Sequence, residues 1–280
     1  TPPPALHYAP VRTPAGLCEF ARDPATARQV WDARIGYPGD PVYREFYRDA
    51  GFDLEYDYVR PYIHESGRRI ATGIKYHRVT GPVALGDKEP YDVDAALARA
   101  DEHARDFALR LATHGAEARR ALAGALDRPP LIVAPYDAEL FGHWWYEGPV
   151  FLDRLMRRLD EQPGAVESIT PTEYLQRHPD AVQLEPAFSS WGEEGYAAAW
   201  LGPETQWLYP LLHDAGDRMI ALARRHARKA RPQQRRALNQ MARELMLALS
   251  SDWAFMMRHG RMVDYATQRT RRHLDNFHAL

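Results

Sequence analysis

The sequence predicts an α/β fold in which a parallel β/α barrel architecture is followed by an all-helical subdomain. Residues 131–134 (Leu-Ile-Val-Ala) form an apolar run of strand length between two segments with helical spacing, as a buried parallel strand does. From about residue 203 onward the strand signals vanish and helical spacing continues. We therefore assign residues 1–202 to the barrel and residues 203–280 to the helical subdomain.

The first elements have a strand-then-helix order. Residues 16–20 have the composition of a short buried strand, and residues 23–26 (Asp-Pro-Ala-Thr) are typical of a helix start that leads to Trp31. The glycines and prolines of residues 36–41 indicate a turn-rich loop. Because the same order recurs around residues 131–134, the pattern favours β-α units.

The next region contains little periodicity. Aromatic residues at positions 43, 46 and 47 share one helical face and predict a helix over residues 42–50. Residues 53–90 show no sustained period apart from a possible strand at 70–79. We therefore predict a loop excursion from the barrel over residues 53–90.

Helices dominate the rest of the chain. Residues 92–126 are rich in Ala, Leu, Arg and Glu at helical spacing, which predicts one long helix or two helices separated near Gly115. Residues 149–161 predict the helix that follows the apolar strand. Three further helices are predicted in the C-terminal subdomain, over residues 204–229, 231–259 and 262–279.

Composition narrows the function classes. In 280 residues, 45% are hydrophobic, which is enough for a large core, and the net charge of −2 provides no field to recruit nucleic acid or an anionic membrane. The single cysteine, Cys18, has no partner for an internal disulfide, and no apolar run of about 18 residues occurs. We therefore expect a cytoplasmic protein with a neutral ligand, without membrane or nucleic-acid partners.

The segment with the most chemistry is residues 134–149, directly after the apolar strand. It contains Asp137, Glu139 and His143, followed by the adjacent Trp144 and Trp145. In a barrel, the C-terminal ends of the strands present the catalytic side chains. Aromatic rings cover the apolar faces of sugars while carboxylates and imidazole meet their hydroxyls, so the segment predicts a carbohydrate cleft.

Structural roles are also consistent with these residues. Asp137 could cap the next helix, the tryptophans could fill the core, and Glu139 could make a local contact with His143. Glu139 and His143 could also be two metal ligands on one turn, but no third ligand follows at a recognisable spacing. We predict neither a metal nor a cofactor.

Residues 136–145 (Tyr-Asp-Ala-Glu-Leu-Phe-Gly-His-Trp-Trp) resemble the fourth sequence region of glycoside hydrolase family 57. The resemblance implies an α-glucan substrate and a β/α barrel, with Asp137 as the general acid/base. It also implies that His143 and Trp144 bind substrate.

Residues 190–200 (Ser-Trp-Gly-Glu-Glu-Gly-Tyr-Ala-Ala-Ala-Trp) resemble the fifth region of the same family. In its glucan-branching members the two tryptophans of this region line the cleft, which implies that Trp191 and Trp200 contact glucan. Trp31 precedes the loop at 36–41, where those members are also expected to have a substrate-contacting tryptophan. The helical C-terminus favours the branching members over the amylases.

The resemblance covers only part of a complete enzyme. Retaining glycosidases use two carboxyl groups about 5 Å apart. The family takes its glutamate nucleophile from a region resembling Trp-Leu-Pro-Glu, and neither this region nor the histidine-containing first region occurs in the sequence. The resemblance therefore implies the C-terminal part of an incomplete TIM-like barrel, with the N-terminal half supplied in the same polypeptide or in another chain. Alone, we expect the chain to be inactive.

The expected activity of the parent enzyme is glucan branching, by cleavage of an α-1,4 linkage and transfer to a 6-hydroxyl. Glu139, Glu147, Glu193 and Glu194 are poor substitute nucleophiles; Glu139 and Glu147 would have to fold back across the sugar. Two alternatives remain. The parent could be a 4-α-glucanotransferase or α-amylase of the same family, or the chain could be a non-catalytic glucan-binding or scaffold protein.

Overall fold

The computed structural model describes residues 4–32, 35–63, 67–161, 164–190, 195–226 and 228–280. The chain divides into two compact units, of which the first ends at Glu185 and the second begins at Pro186. The sequence-based division between residues 202 and 203 stays a prediction, because a compact unit and a catalytic domain are defined by different criteria.

A small sheet lies in the first unit. It contains β1 (Val11–Arg12), β2 (Cys18–Glu19) and β3 (Val182–Gln183) in the order β2-β1-β3. The pairing of β1 with β2 is antiparallel, and that of β1 with β3 is parallel. The strand predicted over residues 16–20 is therefore present in its central two residues, but β2 is not buried.

Residues 131–134 are half-buried and form no regular ladder. Two backbone hydrogen bonds hold them: Leu131 N–H donates to the carbonyl of Tyr8, and the Val133 carbonyl accepts from Asp23 N–H, both at 2.8 Å. Among the described residues the ladders are short, so the barrel itself stays a prediction. Segments of a barrel sheet can form regular ladders only with neighbouring strands.

Helix α1 (Pro24–Trp31) begins where the sequence predicts. The Asp23 carboxylate accepts a hydrogen bond from Thr26 N–H at 2.7 Å, which satisfies one of the unpaired donors of the first turn. The proline at the first helical position already has the φ angle of a helix. This cap fixes the start of the helix that ends at Trp31.

The helix predicted over residues 42–50 is wrong. That segment consists of turns, bends and one isolated bridge, and helix α2 (Ala50–Asp53) begins only at its end. Tyr43, Glu45, Asp49 and Ala50 are buried, and these positions do not share one face of a helix. The aromatic spacing at positions 43, 46 and 47 therefore reflects two different environments.

The excursion over residues 53–90 has little regular structure. It contains α3 (Tyr56–Val59) and short 3₁₀ turns. The strand predicted at 70–79 is reduced to isolated antiparallel bridges, Arg44 with Arg78 and His77 with Pro90.

The core of the first unit lies between α4 (Val93–Ala121) and α5 (Gly148–Glu161), which pack against each other. Helix α4 is continuous through Gly115, which confirms the prediction of one long helix rather than two. Buried alanines recur along it, and their small side chains let α5 approach closely. The remaining helix of this unit is α6 (Pro171–Arg177).

The second unit is helical over its described residues. The predicted helix over 231–259 is in fact two helices that meet around Leu249 and Ser250. A buried hydrogen bond joins two of the helices: His273 Nδ1 lies 2.8 Å from a carboxylate oxygen of Glu244. No helix of the described chain is long and apolar enough to cross a membrane. The helices are α7 (Ala198–Leu201), α8 (Leu208–His226), α9 (Pro232–Ala248), α10 (Ser251–Arg258) and α11 (Val263–Ala279).

Candidate active site

Asp137 lies at the start of a loop that follows residues 131–134. It precedes a 3₁₀ turn, Ala138–Leu140, but its side chain makes no capping hydrogen bond to that turn. The residue is exposed. The alternative of a helix-capping aspartate is therefore wrong, and the carboxylate is open to solvent and to a ligand.

Trp31 lies against the backbone immediately before Asp137. Its indole Nε1–H donates to the carbonyl of Pro135 at 3.4 Å, and its ring centroid is 6.4 Å from that of Tyr136. The Tyr136 hydroxyl in turn donates to the Thr26 carbonyl at 3.1 Å. Trp31, which the resemblance assigns to the same site as Asp137, thus lies against the two residues that precede Asp137.

The loop that follows Asp137 is anchored by Trp145. Trp145 is only 1% exposed and packs with Phe141 and Phe151 in the core of the first unit. Its backbone N–H donates to Leu140, and its carbonyl accepts from Gly142. Gly142 has a φ of 103°, a conformation that strongly favours glycine. Trp145 is therefore a core residue, whereas the loop on either side of it faces outward.

His143 and Trp144 both remain exposed beside a second segment of the chain. Phe46 packs against both, with ring centroids 5.2 Å from His143 and 4.6 Å from Trp144. The Tyr47 ring is 5.4 Å from Trp144 and nearly perpendicular to it. We call Phe46, Tyr47, His143 and Trp144 the aromatic cluster. Sequence analysis identified His143 and Trp144 but missed the other two, whose signal was misread as a helical face.

Glu147 joins the two segments that carry the aromatic cluster. Its side chain is almost fully buried, and Oε1 accepts hydrogen bonds from Arg44 N–H at 3.1 Å and from the Tyr91 hydroxyl at 2.6 Å. Burial, together with the hydrogen bond to this carboxylate, raises the pKa of Tyr91. The other oxygen, Oε2, is buried without a hydrogen-bond partner among the described residues. Glu147 thus has a positioning role that the sequence did not reveal.

Glu139 and His143 form a backbone contact instead of a side-chain pair. The backbone N–H of His143 donates to the carbonyl of Glu139 at 3.2 Å. Within the part of the chain that the structure describes, no three His, Cys, Asp or Glu side chains are grouped as metal ligands. The two-ligand alternative therefore acquires no third ligand there.

Of the two tryptophans of the second motif, Trp200 belongs to the second unit, and Trp191 lies outside the described residues. Trp200 is half-buried, packs against the helical core, and accepts a hydrogen bond at its carbonyl from Thr205 Oγ1. It also lines a largely apolar cavity of about 430 Å³ within this unit, beside Phe188 and Trp253. A ligand could reach the ring there.

The C-terminal helices match a known family. Residues 211–280 match the model described as 1,4-alpha-glucan branching enzyme, C-terminal. This range covers nearly all of α8 and the whole of α9, α10 and α11.

Two curated relatives align over most of the chain. A 1,4-alpha-glucan branching enzyme of Thermococcus kodakarensis is 36% identical over 271 residues, which are 95% of this chain and 36% of that protein. A probable 1,4-alpha-glucan branching enzyme of Mycobacterium tuberculosis is 33% identical over 264 residues, 91% of this chain and 45% of that protein. The chain thus spans less than half the length of these relatives.

Solved structures share its fold. The α-amylase AmyC of Thermotoga maritima has a TM-score of 0.77 and 43% identity, with 98% of this chain and 50% of that chain covered. A family 57 branching enzyme of Thermococcus kodakaraensis, solved in complex with glucose, has a TM-score of 0.78 and 34% identity. The match covers 98% of this chain and 46% of that chain. The predicted resemblance is thereby confirmed: the chain is similar to part of the 1,4-alpha-glucan branching enzymes of glycoside hydrolase family 57.

Proposed function

We propose that this chain provides the acid/base half of a glucan-branching active site. The parent enzyme cleaves an α-1,4 linkage, holds the glucan on a glutamate, and transfers it to a 6-hydroxyl. The observation that carries the proposal is Asp137, an exposed and uncapped carboxylate beside Trp31 in a loop that matches the family motif. A cytoplasmic location and a role in glycogen synthesis belong to the same proposal.

Asp137 acts twice in this mechanism. As an acid it protonates the oxygen of the leaving glucan while the glutamate attacks the anomeric carbon, and as a base it then takes the proton from the acceptor hydroxyl. Trp31, Trp191 and Trp200 position the glucan and exclude water, which would otherwise compete with the acceptor. His143 and Trp144 also bind substrate.

The nucleophile is proposed to lie in the N-terminal half of the barrel. Glu147 does not fit this role because it is buried and its Oε1 accepts two hydrogen bonds. Glu139 is exposed, but it is two residues from Asp137 in the same loop and would have to reach across the sugar. The retaining reaction requires carboxylates on opposite sides of the scissile bond.

Replacing the acid/base tests the proposal in the complete enzyme. Asp137→Asn should reduce branching by at least about 100-fold, the lower range of general acid–base contributions. Branching is followed by the loss of iodine colour and the formation of α-1,6 linkages. Glu139→Gln is the matched control, because it neutralises another exposed carboxylate of the same loop and should retain most activity. Full activity of Asp137→Asn would refute the assignment.

Hydrolysis is the second candidate, and the similarity to the α-amylase AmyC favours it. A hydrolase would release reducing ends in proportion to the linkages cleaved, whereas a branching enzyme conserves them. The ratio of α-1,6 linkages to reducing ends therefore separates the two activities. A 4-α-glucanotransferase would form new α-1,4 linkages and neither of the other products. A scaffold protein would bind amylose without any turnover.

A further inference from the structure

The aromatic cluster presents two exposed ring faces at nearly a right angle. Tyr47 is 64% exposed and Trp144 is 40% exposed, and their ring planes meet at 83°. Phe46 is half-buried and contacts both, with ring centroids 4.6 Å from Trp144 and 5.3 Å from Tyr47. Phe46 thus holds the two outer rings in a fixed relation while they remain accessible.

Polar groups surround these rings. The exposed imidazole of His143 contacts Phe46. Lys75 Nζ lies 5.7 Å from the Phe46 ring centroid. A glucose unit has apolar C–H faces and a rim of hydroxyls, so it is complementary to aromatic faces that are bordered by hydrogen-bonding groups.

The cluster is also well anchored before any ligand binds. Glu147 Oε1 accepts from Arg44 on one of its segments and from Tyr91, while Glu147 itself lies three residues after Trp144. The Arg44 guanidinium stacks over the Tyr146 ring at 3.8 Å, which joins the two segments a second time. Rings that are already fixed lose little conformational entropy when they bind a ligand.

We propose that Phe46, Tyr47 and Trp144 form a glucan-binding subsite beside the catalytic loop, with Tyr47 and Trp144 in contact with a glucose unit. The identity of the ligand rests on the proposed function. The inference adds Tyr47 as a second contact ring and Phe46 as the residue that positions both. Trp144 follows Asp137 by seven residues in the same loop, which relates the subsite to the proposed acid/base.

Binding of maltoheptaose to the chain, measured by isothermal titration calorimetry, tests the subsite without requiring turnover. Tyr47→Ala and Trp144→Ala should each weaken binding by about fivefold or more, the usual cost of truncating an aromatic anchor. Tyr58→Ala is the matched control, because Tyr58 is 66% exposed in the same unit but is not part of the cluster. The affinity of Tyr58→Ala for maltoheptaose should stay within about twofold of that of the unchanged chain, which is a smaller change than the loss of an aromatic anchor causes.

Circular dichroism should show the same helical content in all three variants. Unchanged affinity of Tyr47→Ala and Trp144→Ala, an equal loss in Tyr58→Ala, or no binding of maltoheptaose at all would overturn the subsite. If Asp137→Asn keeps full turnover in the complete enzyme while Tyr47→Ala weakens binding, the proposed function fails and the subsite stands. If Asp137→Asn abolishes turnover while Tyr47→Ala leaves binding unchanged, the subsite fails and the proposed function stands.

Discussion

At the scale of single residues, buried carboxylates organise the first unit. Asp49 is 2% exposed, and it accepts hydrogen bonds from the backbone of Gly51, Thr72 and Gly73 and pairs with Lys75 at 3.1 Å. Burial alone would raise the pKa of Asp49, but the hydrogen bonds from Thr72 and Gly51 outweigh it and hold the pKa well below its usual range. Asp49 thus joins the loop excursion to the segment that carries the aromatic cluster.

Asp49→Asn should lower the free energy of unfolding by about 3 kcal/mol, because it removes one partner of a buried charged network. Because the pKa of Asp49 is lower in the folded than in the unfolded state, the ionised carboxylate stabilises the protein above about pH 4. This stabilisation is lost as the pH falls toward the pKa of the folded state. The difference between Asp49→Asn and the unchanged chain should therefore shrink in urea titrations carried out from pH 7 down to pH 3.

Asp57→Asn provides the control, since Asp57 is an exposed aspartate of the same excursion. Its effect should stay within about 0.5 kcal/mol, as for other surface substitutions. A pH-independent loss of stability in Asp49→Asn would show that the carboxylate charge is not what the network requires.

The sequence motif singled out exposed residues of the candidate site but not the buried residues that hold them. Asp137, His143 and Trp144 lie in a motif, and all three are exposed as a ligand-binding role requires. Glu147 and Asp49 belong to no periodic pattern, and their roles depend on donors that are distant in the chain, such as Tyr91 and Thr72. A buried polar residue can be recognised only when its partners are known.

At the scale of elements, helices were predicted well and strands poorly. Helix signals are local: Ala96, Ala100 and Ala104 recur at an interval of four and form the buried face of α4. Strand signals require a neighbour, and residues 131–134 have the right composition but form no regular ladder. The error at 42–50 has the same origin, because its buried positions are set by tertiary contacts of an irregular segment.

The buried face of α4 predicts that leucine substitutions at two alanines have very different effects on stability. Ala100→Leu should destabilise the chain by about 1–3 kcal/mol, because Ala100 is completely buried in the packed core and added methylenes force neighbours to move. Ala98→Leu introduces the same side chain on the exposed face of α4 and should be nearly neutral, since leucine and alanine have similar helix propensities. Thermal unfolding measures both. Equal melting temperatures would contradict the packing of this face.

At the scale of the whole molecule, the proposed reaction assigns one of its two carboxylates to this chain. It spans 36% and 45% of two curated relatives, and about half of the solved structures that share its fold. The sequence motif singled out Asp137 because a motif is local, and its role as the acid/base stays a prediction. The barrel was not resolvable in the same way, since a barrel sheet is a property of all its strands together.

The proposal of a divided site therefore predicts the behaviour of the isolated chain. It should bind maltoheptaose, because the aromatic cluster lies within it, but it should neither form α-1,6 linkages nor release reducing ends. When it is joined to the N-terminal half that supplies the glutamate, branching should appear, and Asp137→Asn in that complete enzyme should remove it. Turnover by the isolated chain would instead place the second carboxylate within it, with Glu139 as the first residue to test. Binding without turnover in the complete protein would favour the scaffold alternative.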